Sequence, residues 1–274
     1  MSKDREQYTM GYGPVATSIM ASRSAKTHAA FFLPNLKPGM HVLDCGCGPG
    51  TITIGFAEFV APGRVVGTEI EESQVTLARE NAAKQDVSNV DFEVADIYTL
   101  PFETASFDAV FISAVLSNLQ EPVRGLREVF RVLKSAGVIG IKEFDHGGDL
   151  FYPLDVSLKQ YNDCYWRLRR ENGHDPECGR KIGAFLVDAG FSDVRVSARY
   201  ESMGEPDALR RIATAFAGLL SEGWGDMFKD RGWASAEEID KMRQAWSTFS
   251  QTPGSFYAGA WCEALARKDE LKKS

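Results

Sequence analysis

Residues 42–51 read Val-Leu-Asp-Cys-Gly-Cys-Gly-Pro-Gly-Thr, and this stretch decides the fold of the chain. The apolar run from Met40 to Leu43 predicts a short buried strand, and a helix is predicted to begin near Thr51. The alternate glycines between them allow a positive φ and let the backbone pass close to a ligand without a Cβ in the way. Exposed N–H groups at such a turn and helix start can hold a polar or anionic group. The stretch therefore predicts a nucleotide-type binding site.

The spacing of the glycines separates this turn from two common nucleotide-binding motifs. The dinucleotide fingerprint is G-x-G-x-x-G, whereas here an acid is followed by G-x-G-x-G, and no Gly-Lys-Ser/Thr follows as in a P-loop. The residues concerned are Asp44, Gly46, Gly48 and Gly50. Over residues 37–143 the chain resembles the class I S-adenosylmethionine-dependent methyltransferases, and in particular the small-molecule group similar to the ubiquinone/menaquinone C-methyltransferases.

That resemblance implies a cofactor, a reaction and two residue roles. The cofactor is S-adenosylmethionine, whose methyl group would pass to an oxygen, nitrogen or carbon atom of a small organic acceptor and leave S-adenosylhomocysteine. Asp96, after the third predicted strand, would accept from the adenine amino group, and Ile97 would offer its backbone N–H to the ring. Without the other motifs, a single Asp in this place would more often be a helix cap or a turn residue.

Composition and charge limit the alternatives. The chain has 274 residues, of which 44% are hydrophobic and 25% charged, as in an ordinary soluble globular protein. Its net charge of −7 disfavours nucleic-acid partners. We expect no membrane span and a cytoplasmic location, because the start of the chain is polar and no apolar run is long enough to cross a bilayer. The five cysteines lack C-x-x-C spacing, so neither disulfides nor a metal site is predicted, and Cys45 and Cys47 are read as small buried residues.

Strand and helix patterns alternate along the chain, which predicts a parallel sheet with helices on both faces. We expect a doubly wound α/β fold of the Rossmann-like methyltransferase type, with seven mostly parallel strands and a helical cap inserted late in the chain. The predicted parts are an N-terminal helical lid (1–36), a cofactor-binding core (37–199 and 255–266) with an inserted helix (150–172), and a helical cap over the substrate pocket (200–254).

Ligands in such sheets lie beyond the carboxyl ends of the strands. Glu69 ends the second predicted strand, where an acid can accept hydrogen bonds from both ribose hydroxyls; the alternative is a solvated glutamate. Tyr8, Tyr12 and Arg23 are candidate lid residues near the cofactor, although the same segment also fits an amphipathic helix that only covers the sheet. The predicted cofactor-binding residues are Asp44, Gly46, Cys47, Gly48, Gly50, Glu69, Ile70, Asp96, Ile97, Ser113, Tyr12 and Arg23.

Methyl transfer from a sulfonium is an in-line displacement that needs the acceptor atom held on the correct axis. A base is needed in addition if the acceptor is a hydroxyl or an acidic carbon. His146 and Glu143 are the predicted catalytic residues, with Asp145 and His174 as further candidates, and each histidine could equally be structural. Related enzymes often carry histidines where this chain has Ser117 and Asn118, so an obvious base is missing. Side chains that could bind an anionic acceptor are Arg169, Arg170, Arg180 and Lys181.

The second half of the chain is rich in helical and aromatic patterns. A capping box at Ser235 and Glu238 predicts the start of one cap helix. The segment from Glu222 to Ala234 carries Trp224, Phe228 and Trp233, and it fits a mobile lid, a dimer contact or a plain helix connection anchored by its aromatic rings. The aromatic cap favours an apolar or aromatic acceptor, and the protein is expected to be a monomer or a homodimer.

Two other functions remain open from the residues alone. The same fold hosts other S-adenosylmethionine-using transfers, such as aminopropyl transfer, and it can also serve as a non-catalytic cofactor-binding interaction protein. An NAD-dependent dehydrogenase is the least favoured, because the glycine spacing is wrong for a dinucleotide.

Overall fold

A computed structural model describes residues 8–269 of the chain. Within them a single mixed sheet has eight strands, one more than the sequence predicts. The strands are β1 (His41–Cys45), β2 (Arg64–Glu69), β3 (Val90–Val94), β4 (Phe107–Ser113), β5 (Leu133–Phe144), β6 (Leu150–Tyr152), β7 (Ser192–Met203) and β8 (Phe256–Arg267).

The order of the strands is β3-β2-β1-β4-β5-β8-β6, and β7 also pairs with β8. The pairs among β1 to β5 are parallel, while β8 runs antiparallel to β5, β6 and β7. Only β8 is therefore reversed in this sheet, which confirms the predicted mostly parallel α/β architecture. The carboxyl ends of β1 to β4 consequently meet at one edge, where a ligand is expected.

Ten α-helices of the described residues surround the sheet. They are α1 (Pro14–Ala21), α2 (Ala25–His28), α3 (Thr51–Val60), α4 (Glu72–Lys84), α5 (Pro122–Val132), α6 (Val156–Glu171), α7 (Ile182–Asp188), α8 (Pro206–Leu219), α9 (Gly225–Asp230) and α10 (Ala236–Gln251). Pro122 and Pro206 each stand at a helix start, where their missing N–H leaves no helical hydrogen bond unmade.

The two faces of the sheet are covered by separate apolar clusters. On one face, helices α5 and α7 bury Leu126, Val129 and Ile182 against the strands. On the other face, Phe32 and the α3 residue Phe56 pack with Phe111 of β4, with ring centroids 5.3–5.7 Å apart. These two layers hold the strands in place, so the glycine turn after β1 lies on a rigid support.

A third apolar cluster lies in the second half of the chain and joins α6, α8, α9 and α10. Its largest fully buried side chain is Trp246, packed among Tyr161 and Phe216. Ala16 of α1 belongs to the same cluster. The N-terminal helix is therefore packed mainly against the later helices, and we call these five helices the helical layer.

The inserted segment 150–172 differs from the expected single helix. It begins with the short strand β6, and α6 starts only at Val156, because Pro153 interrupts the chain and Asp155 caps the helix by accepting from Leu158 N at 2.8 Å. The sixth predicted strand, β7, extends to Met203, so the first helix of the predicted cap begins at Pro206 rather than at 200.

The aromatic segment from 222 to 234 packs into the helical layer. Trp224 and Phe228 are buried in it, and Trp233 packs against its edge. Of the three interpretations given above, this packing favours a helix connection anchored by its rings. The predicted capping box is present as well: Glu238 N donates to Ser235 Oγ at 3.2 Å, and Ser235 N donates to Glu238 Oε2 at 2.7 Å.

Candidate active site

The glycine turn after β1 has the backbone that its sequence requires. Gly46, Gly48 and Gly50 have φ values of 75°, 51° and 78°. A Cβ on Gly46 would lie 2.2 Å from Val115 Cγ2, and one on Gly50 would lie 2.8 Å from the ring of Phe92. Positive φ and close packing therefore exclude larger side chains at both positions.

The N–H groups of this turn are used differently from the expectation that they point at a ligand. Gly46 N and Cys47 N both donate to the carbonyl oxygen of Thr68, at 2.7 and 3.0 Å. Gly48 N donates to Glu69 Oε2 at 3.1 Å. These hydrogen bonds hold the turn against the end of β2, beside the cavity described next.

A cavity opens at the carboxyl ends of β1 to β4, as the strand-end rule predicts. Eleven of the twelve predicted cofactor-binding residues line it. They are Asp44, Gly46, Cys47, Gly48, Glu69, Ile70, Asp96, Ile97, Ser113, Tyr12 and Arg23. The exception is Gly50, where an added Cβ would lie 2.8 Å from both Ala78 Cβ and the Phe92 ring.

The acids of the cavity are held by defined donors. Asp44 is buried and accepts a hydrogen bond from Thr53 Oγ1 at 2.6 Å, and burial raises its pKa to about 7. The Glu69 carboxylate accepts from Ile70 N at 2.8 Å as well as from Gly48 N, and burial raises its pKa too. Asp96 accepts from Tyr98 N at 2.9 Å. Each carboxylate is therefore fixed in direction before any ligand arrives.

The N-terminal segment forms the opposite wall. Tyr8, Tyr12, Met20 and Arg23 line the cavity, and the rings of Tyr8 and Tyr12 lie 5.1 Å apart. Burial raises the pKa of Tyr8 to about 12. The Arg23 guanidinium lies 5.3 Å from the ring centroids of both Phe144 and Trp261. The described part of the predicted 1–36 lid thus contributes side chains to the cavity as well as covering the sheet; residues 1–7 lie outside the described chain.

Hydrogen bonds fasten this segment to the helical layer. Thr9 Oγ1 lies 2.6 Å from His174 Nδ1, and Trp224 Nε1 donates to the carbonyl oxygen of Thr9 at 3.1 Å. Burial lowers the pKa of His174 to about 4, so its imidazole is neutral at pH 7. His174 therefore anchors the N-terminal segment through Thr9, and this structural contact explains why its imidazole is buried.

The two predicted catalytic residues are not in the wall of the cavity. Glu143 is fully buried and accepts from Ser117 N at 3.2 Å and Phe144 N at 3.1 Å, so it holds the turn after β4. His146 lies between Asp149 and Tyr165: its Nδ1 is 2.9 Å from Asp149 Oδ2, and its Nε2 is 3.3 Å from the Tyr165 hydroxyl. Their catalytic roles stay predictions.

The other charged candidates separate into paired and unpaired groups. Asp145 is bound by Arg180, with an oxygen–nitrogen distance of 2.5 Å that holds the pKa of Asp145 below its usual range. Lys181 pairs with Asp175, and Arg170 Nη2 lies 3.9 Å from Glu177 Oε2. Arg169 is different, because it is buried and forms no ion pair with a described carboxylate, while the negative charge of the buried Glu143 acts to raise its pKa.

Several lining residues were not predicted from the sequence. Thr68 and Asn118 stand at or just after strand ends, so the rule that selected Glu69 and Ser113 could have found them. Met20 is on α1, and only the packing of that helix brings it to the cavity, so no local signal marks it. Other unpredicted lining residues are Pro49, Thr51, Ile52, Ala95, Tyr98, Ala114, Val115 and Leu119.

Residues 8–269 contain neither a metal-type cluster nor a membrane-spanning helix. No group of three or more His, Cys, Asp or Glu side chains there is placed to hold a metal ion. No helix there is long and apolar enough to cross a bilayer. The five cysteines are buried and unpaired by disulfides, as expected for Cys45 and Cys47.

An α/β sheet with a glycine turn, a strand-end acid and a cavity at its carboxyl edge defines an enzyme-like nucleotide-cofactor fold. A family model described as a methyltransferase domain matches residues 36–178. An uncharacterised methyltransferase of Schizosaccharomyces pombe is 33% identical over 199 residues, covering 70% of this chain and 71% of the relative. The chain belongs to the methyltransferase family.

Two further matches agree with the predicted resemblance. A ubiquinone/menaquinone biosynthesis C-methyltransferase of Yersinia enterocolitica is 36% identical over 179 residues, covering 59% of this chain and 70% of the relative. The structure of a phosphoethanolamine N-methyltransferase of Haemonchus contortus, bound to S-adenosylhomocysteine, is similar in fold with a TM-score of 0.54. It is 22% identical and is matched over 86% of this chain and 50% of that one.

Proposed function

We propose that the protein transfers a methyl group from S-adenosylmethionine to a small organic acceptor and releases S-adenosylhomocysteine. The single observation that supports this most strongly is the convergence of Asp44, Gly48, Glu69 and Asp96 on one cavity at the carboxyl edge of the sheet. These residues come from three separate strand ends, and their types match the motifs of the family. The bound donor would supply a methyl group made electrophilic by the sulfonium.

The residues present fit such a ligand. Gly48 lines the cavity, and a Cβ added to it would contact only the Met20 side chain, 3.4 Å from Sδ and 4.0 Å from Cβ. Glu69 offers carboxylate oxygens at the end of β2, where we propose that they accept from the ribose hydroxyls. We propose that Asp96 and Ile97 hold the adenine and that Arg23 faces the carboxylate of the methionine part.

The N-terminal segment and the helical layer are proposed to close the acceptor side. Tyr8 and Tyr12 line the cavity with aromatic surface, while Thr9 connects that wall to His174 and Trp224. Closure of this kind would exclude water and hold the acceptor atom on the methyl axis. The aromatic wall favours an apolar or aromatic acceptor. We further propose a cytoplasmic monomer or homodimer with no nucleic-acid partner, consistent with the net charge of −7.

An assay with methyl-labelled S-adenosylmethionine tests this function. Phenols, enolisable diketones, amines and carboxylates are offered as acceptors, and the nucleoside product is separated by chromatography. We expect label in one acceptor class with an equal amount of S-adenosylhomocysteine, and loss of that label in Asp96→Ala. Methylthioadenosine as the product would instead indicate aminopropyl transfer. Tight binding of S-adenosylhomocysteine with no turnover in any class would favour a non-catalytic binding protein.

A further inference from the structure

Strand β7 forms an open edge of the sheet. It runs for twelve residues and pairs with β8 on one side. No strand of the described residues pairs with its other side. The backbone N–H and C=O groups that face that side therefore have no sheet partner within residues 8–269, and an edge of this kind can add a further strand.

This edge is exposed over most of its length. Eight of the twelve residues of β7 are exposed, and the six from Arg195 to Tyr200 follow one another without interruption. Val196 and Tyr200 are large apolar side chains, and they are 48% and 52% exposed. Because they are four residues apart on a strand, they lie on the same face of the sheet. No helix or loop of the described chain therefore covers the middle of β7.

Proteins usually protect a long edge with proline, a bulge or charges. β7 contains no proline, and its irregular pairing with β8 is confined to the start, between Ser192 and Arg195. The pairing is regular from Arg195 to Met203. The charges on this part are of both signs, so a strand that carries them in the reverse order can match them.

A second copy of β7 is a partner whose register can be worked out. When two identical edges pair antiparallel about a two-fold axis, each face stays on its own side of the joined sheet. Opposite residues then lie on the same face, and one residue at the axis lies opposite its own copy. The choice of that residue fixes every other pair.

The charges favour Ala198 as the residue at the axis. In that register Arg195 lies opposite Glu201 of the second copy, and the symmetry repeats this pair at the other end. With Ser197 at the axis, Arg195 would lie opposite Arg199. With Arg199 at the axis, the two copies of that arginine would meet. Like charges directly opposite each other are destabilising, so both neighbouring registers are disfavoured.

The same register brings apolar side chains together. Val196 lies opposite Tyr200 of the second copy, and a β-branched residue opposite an aromatic ring is a stabilising pair. Helix α7 borders this face, since a Cβ on Gly183 would lie 2.9 Å from Val196 Cγ2. Val187 is four residues further along α7 and is 61% exposed, so the apolar surface continues beside the strand.

The charged face can form the new pairs without losing its internal contacts. Glu201 Oε1 lies 2.8 Å from Lys142 Nζ and 3.1 Å from His28 Nε2, and these contacts hold the carboxylate in place while 26% of its side chain stays exposed. Arg195 lies 3.0 Å from Asp193 Oδ1, with 75% of its side chain exposed. Arg195 is therefore mostly in water and can turn toward Glu201 of a second copy.

We propose that the protein forms a homodimer in which the two β7 strands pair antiparallel about Ala198 and join the two sheets into one. The partner of this surface is a second copy of the chain, and the proposal holds whether or not the proposed methyl transfer is correct. Because β5 and β8 separate β7 from β4, the pairing leaves the cavity of each copy open.

Disulfide formation in Ala198→Cys tests the register. Opposite residues of an antiparallel pair have α-carbons about 4.5–5.5 Å apart, within the range of a disulfide. The five native cysteines are buried, so they should not interfere. We expect mild oxidation to give a linked species of twice the 30.2 kDa chain mass. The matched control is Ser202→Cys, which is exposed on the same face but would lie about 27 Å along the strands from its own copy and should stay unlinked.

Sedimentation velocity of Arg195→Glu tests the charges. This change places like charges opposite each other at both ends of the pair, so the dissociation constant of the dimer should rise about tenfold or more. Lys84→Glu, on α4 with 68% of its side chain exposed, makes the same change in net charge and should stay within about twofold of wild type. Circular dichroism spectra of both variants should match that of wild type, which separates loss of pairing from loss of fold.

Two results would overturn the proposal. Wild-type protein that sediments as a single 30.2 kDa chain, even at the highest soluble concentration, would leave the β7 edge open to water or to a strand of a different protein. A dimer that persists in Arg195→Glu, and that links through Ser202→Cys as fast as through Ala198→Cys, would show that the two copies meet at another surface.

Discussion

The proposed cofactor side of this cavity and its proposed acceptor side are built in different ways. The cofactor side is formed by the backbone of one glycine turn and by acids that directly follow strands, such as Glu69 and Asp96. The proposed acceptor side is supported by side chains that meet across long stretches of chain, such as Thr9 with His174 and Asn118 with Arg169. The first depends on local geometry, the second on how separate helices pack.

This difference indicates where each property of the enzyme resides. The backbone turn tolerates almost no substitution at Gly46 and Gly50, because both have a positive φ and an added Cβ would lie within 3 Å of a neighbouring side chain. Side chains on separate helices can be exchanged more freely, so we expect that the proposed acceptor side can change while the proposed donor site stays intact. The predictions below test this division by changing one side and measuring both.

The largest effect is expected at the glycine turn. Gly46→Ala introduces a Cβ that would lie 2.2 Å from Val115 Cγ2 at a φ of 75°, so we expect a loss of about 2–5 kcal/mol in the free energy of unfolding, and loss of cofactor binding. Gly39→Ala is the matched control, because its φ of 88° is also positive but nothing lies within 4 Å. It should cost about 1 kcal/mol. Equal losses in urea denaturation would contradict the steric part of this account.

A pH-dependent effect is expected at Asp44. Its pKa is about 7 in the folded state against about 3.9 when unfolded, so the folded protein binds the extra proton between these values. The wild-type free energy of unfolding should therefore fall as pH rises through that window and level off above pH 7. Asp44→Asn removes the titration. In urea denaturation, the free energy of unfolding of the variant relative to wild type should rise by about 2 kcal/mol from pH 5 to pH 8. If the difference in free energy of unfolding between variant and wild type were the same at pH 5 and pH 8, Asp44 would not have the raised pKa of a buried carboxyl.

A smaller effect on affinity is expected at the end of β2. Gly48 N and Ile70 N donate to different oxygens of Glu69, at 3.1 and 2.8 Å, so in Glu69→Gln the amide NH2 would oppose one of these two donors. Calorimetry should give an affinity for S-adenosylhomocysteine about 10- to 100-fold weaker than wild type. Glu93→Gln, at an exposed position of β3, should leave it unchanged. Similar weakening in both variants would point to a general charge effect instead.

The smallest effect is expected in the helical layer. Ser235→Ala removes the side chain that caps α10, and the free energy of unfolding should fall by about 1 kcal/mol. Affinity for S-adenosylhomocysteine should not change, since α10 contributes no residue to the cavity. If the cap variant weakened cofactor binding as strongly as Glu69→Gln, the division between the two sides would be wrong.

Much of the cofactor side could be predicted from the sequence because its signals are local. The glycine spacing fixes a turn, and strand ends in a parallel sheet share an edge, so Glu69 could be placed at the cavity from its position, while Asp96 was selected by the family resemblance. The hydrogen-bond partners of the turn's N–H groups could not be predicted, because the bonds to Thr68 and Glu69 depend on the register between β1 and β2.

The proposed acceptor side could be predicted only in outline. Helical periodicity and the capping box identified α10, but no pattern places Tyr165 beside His146, which comes from a different element. The strand β6 could not be predicted because three residues give no reliable alternation of apolar and polar side chains. The helix that follows begins at Val156, after Pro153, and not at 150 as predicted. A role for Glu143 cannot be judged without the packing, because no sequence pattern predicts that its carboxylate accepts from Ser117 N and Phe144 N.

The most direct test of the central claim is calorimetric titration of the wild-type protein with S-adenosylhomocysteine and, separately, with NAD⁺. If the glycine turn and the strand-end acids form a methyl-donor site, S-adenosylhomocysteine should bind in the micromolar range, at about −8 kcal/mol, and NAD⁺ should give no heat of binding. Binding of NAD⁺ in its place, or of neither nucleotide, would contradict the account.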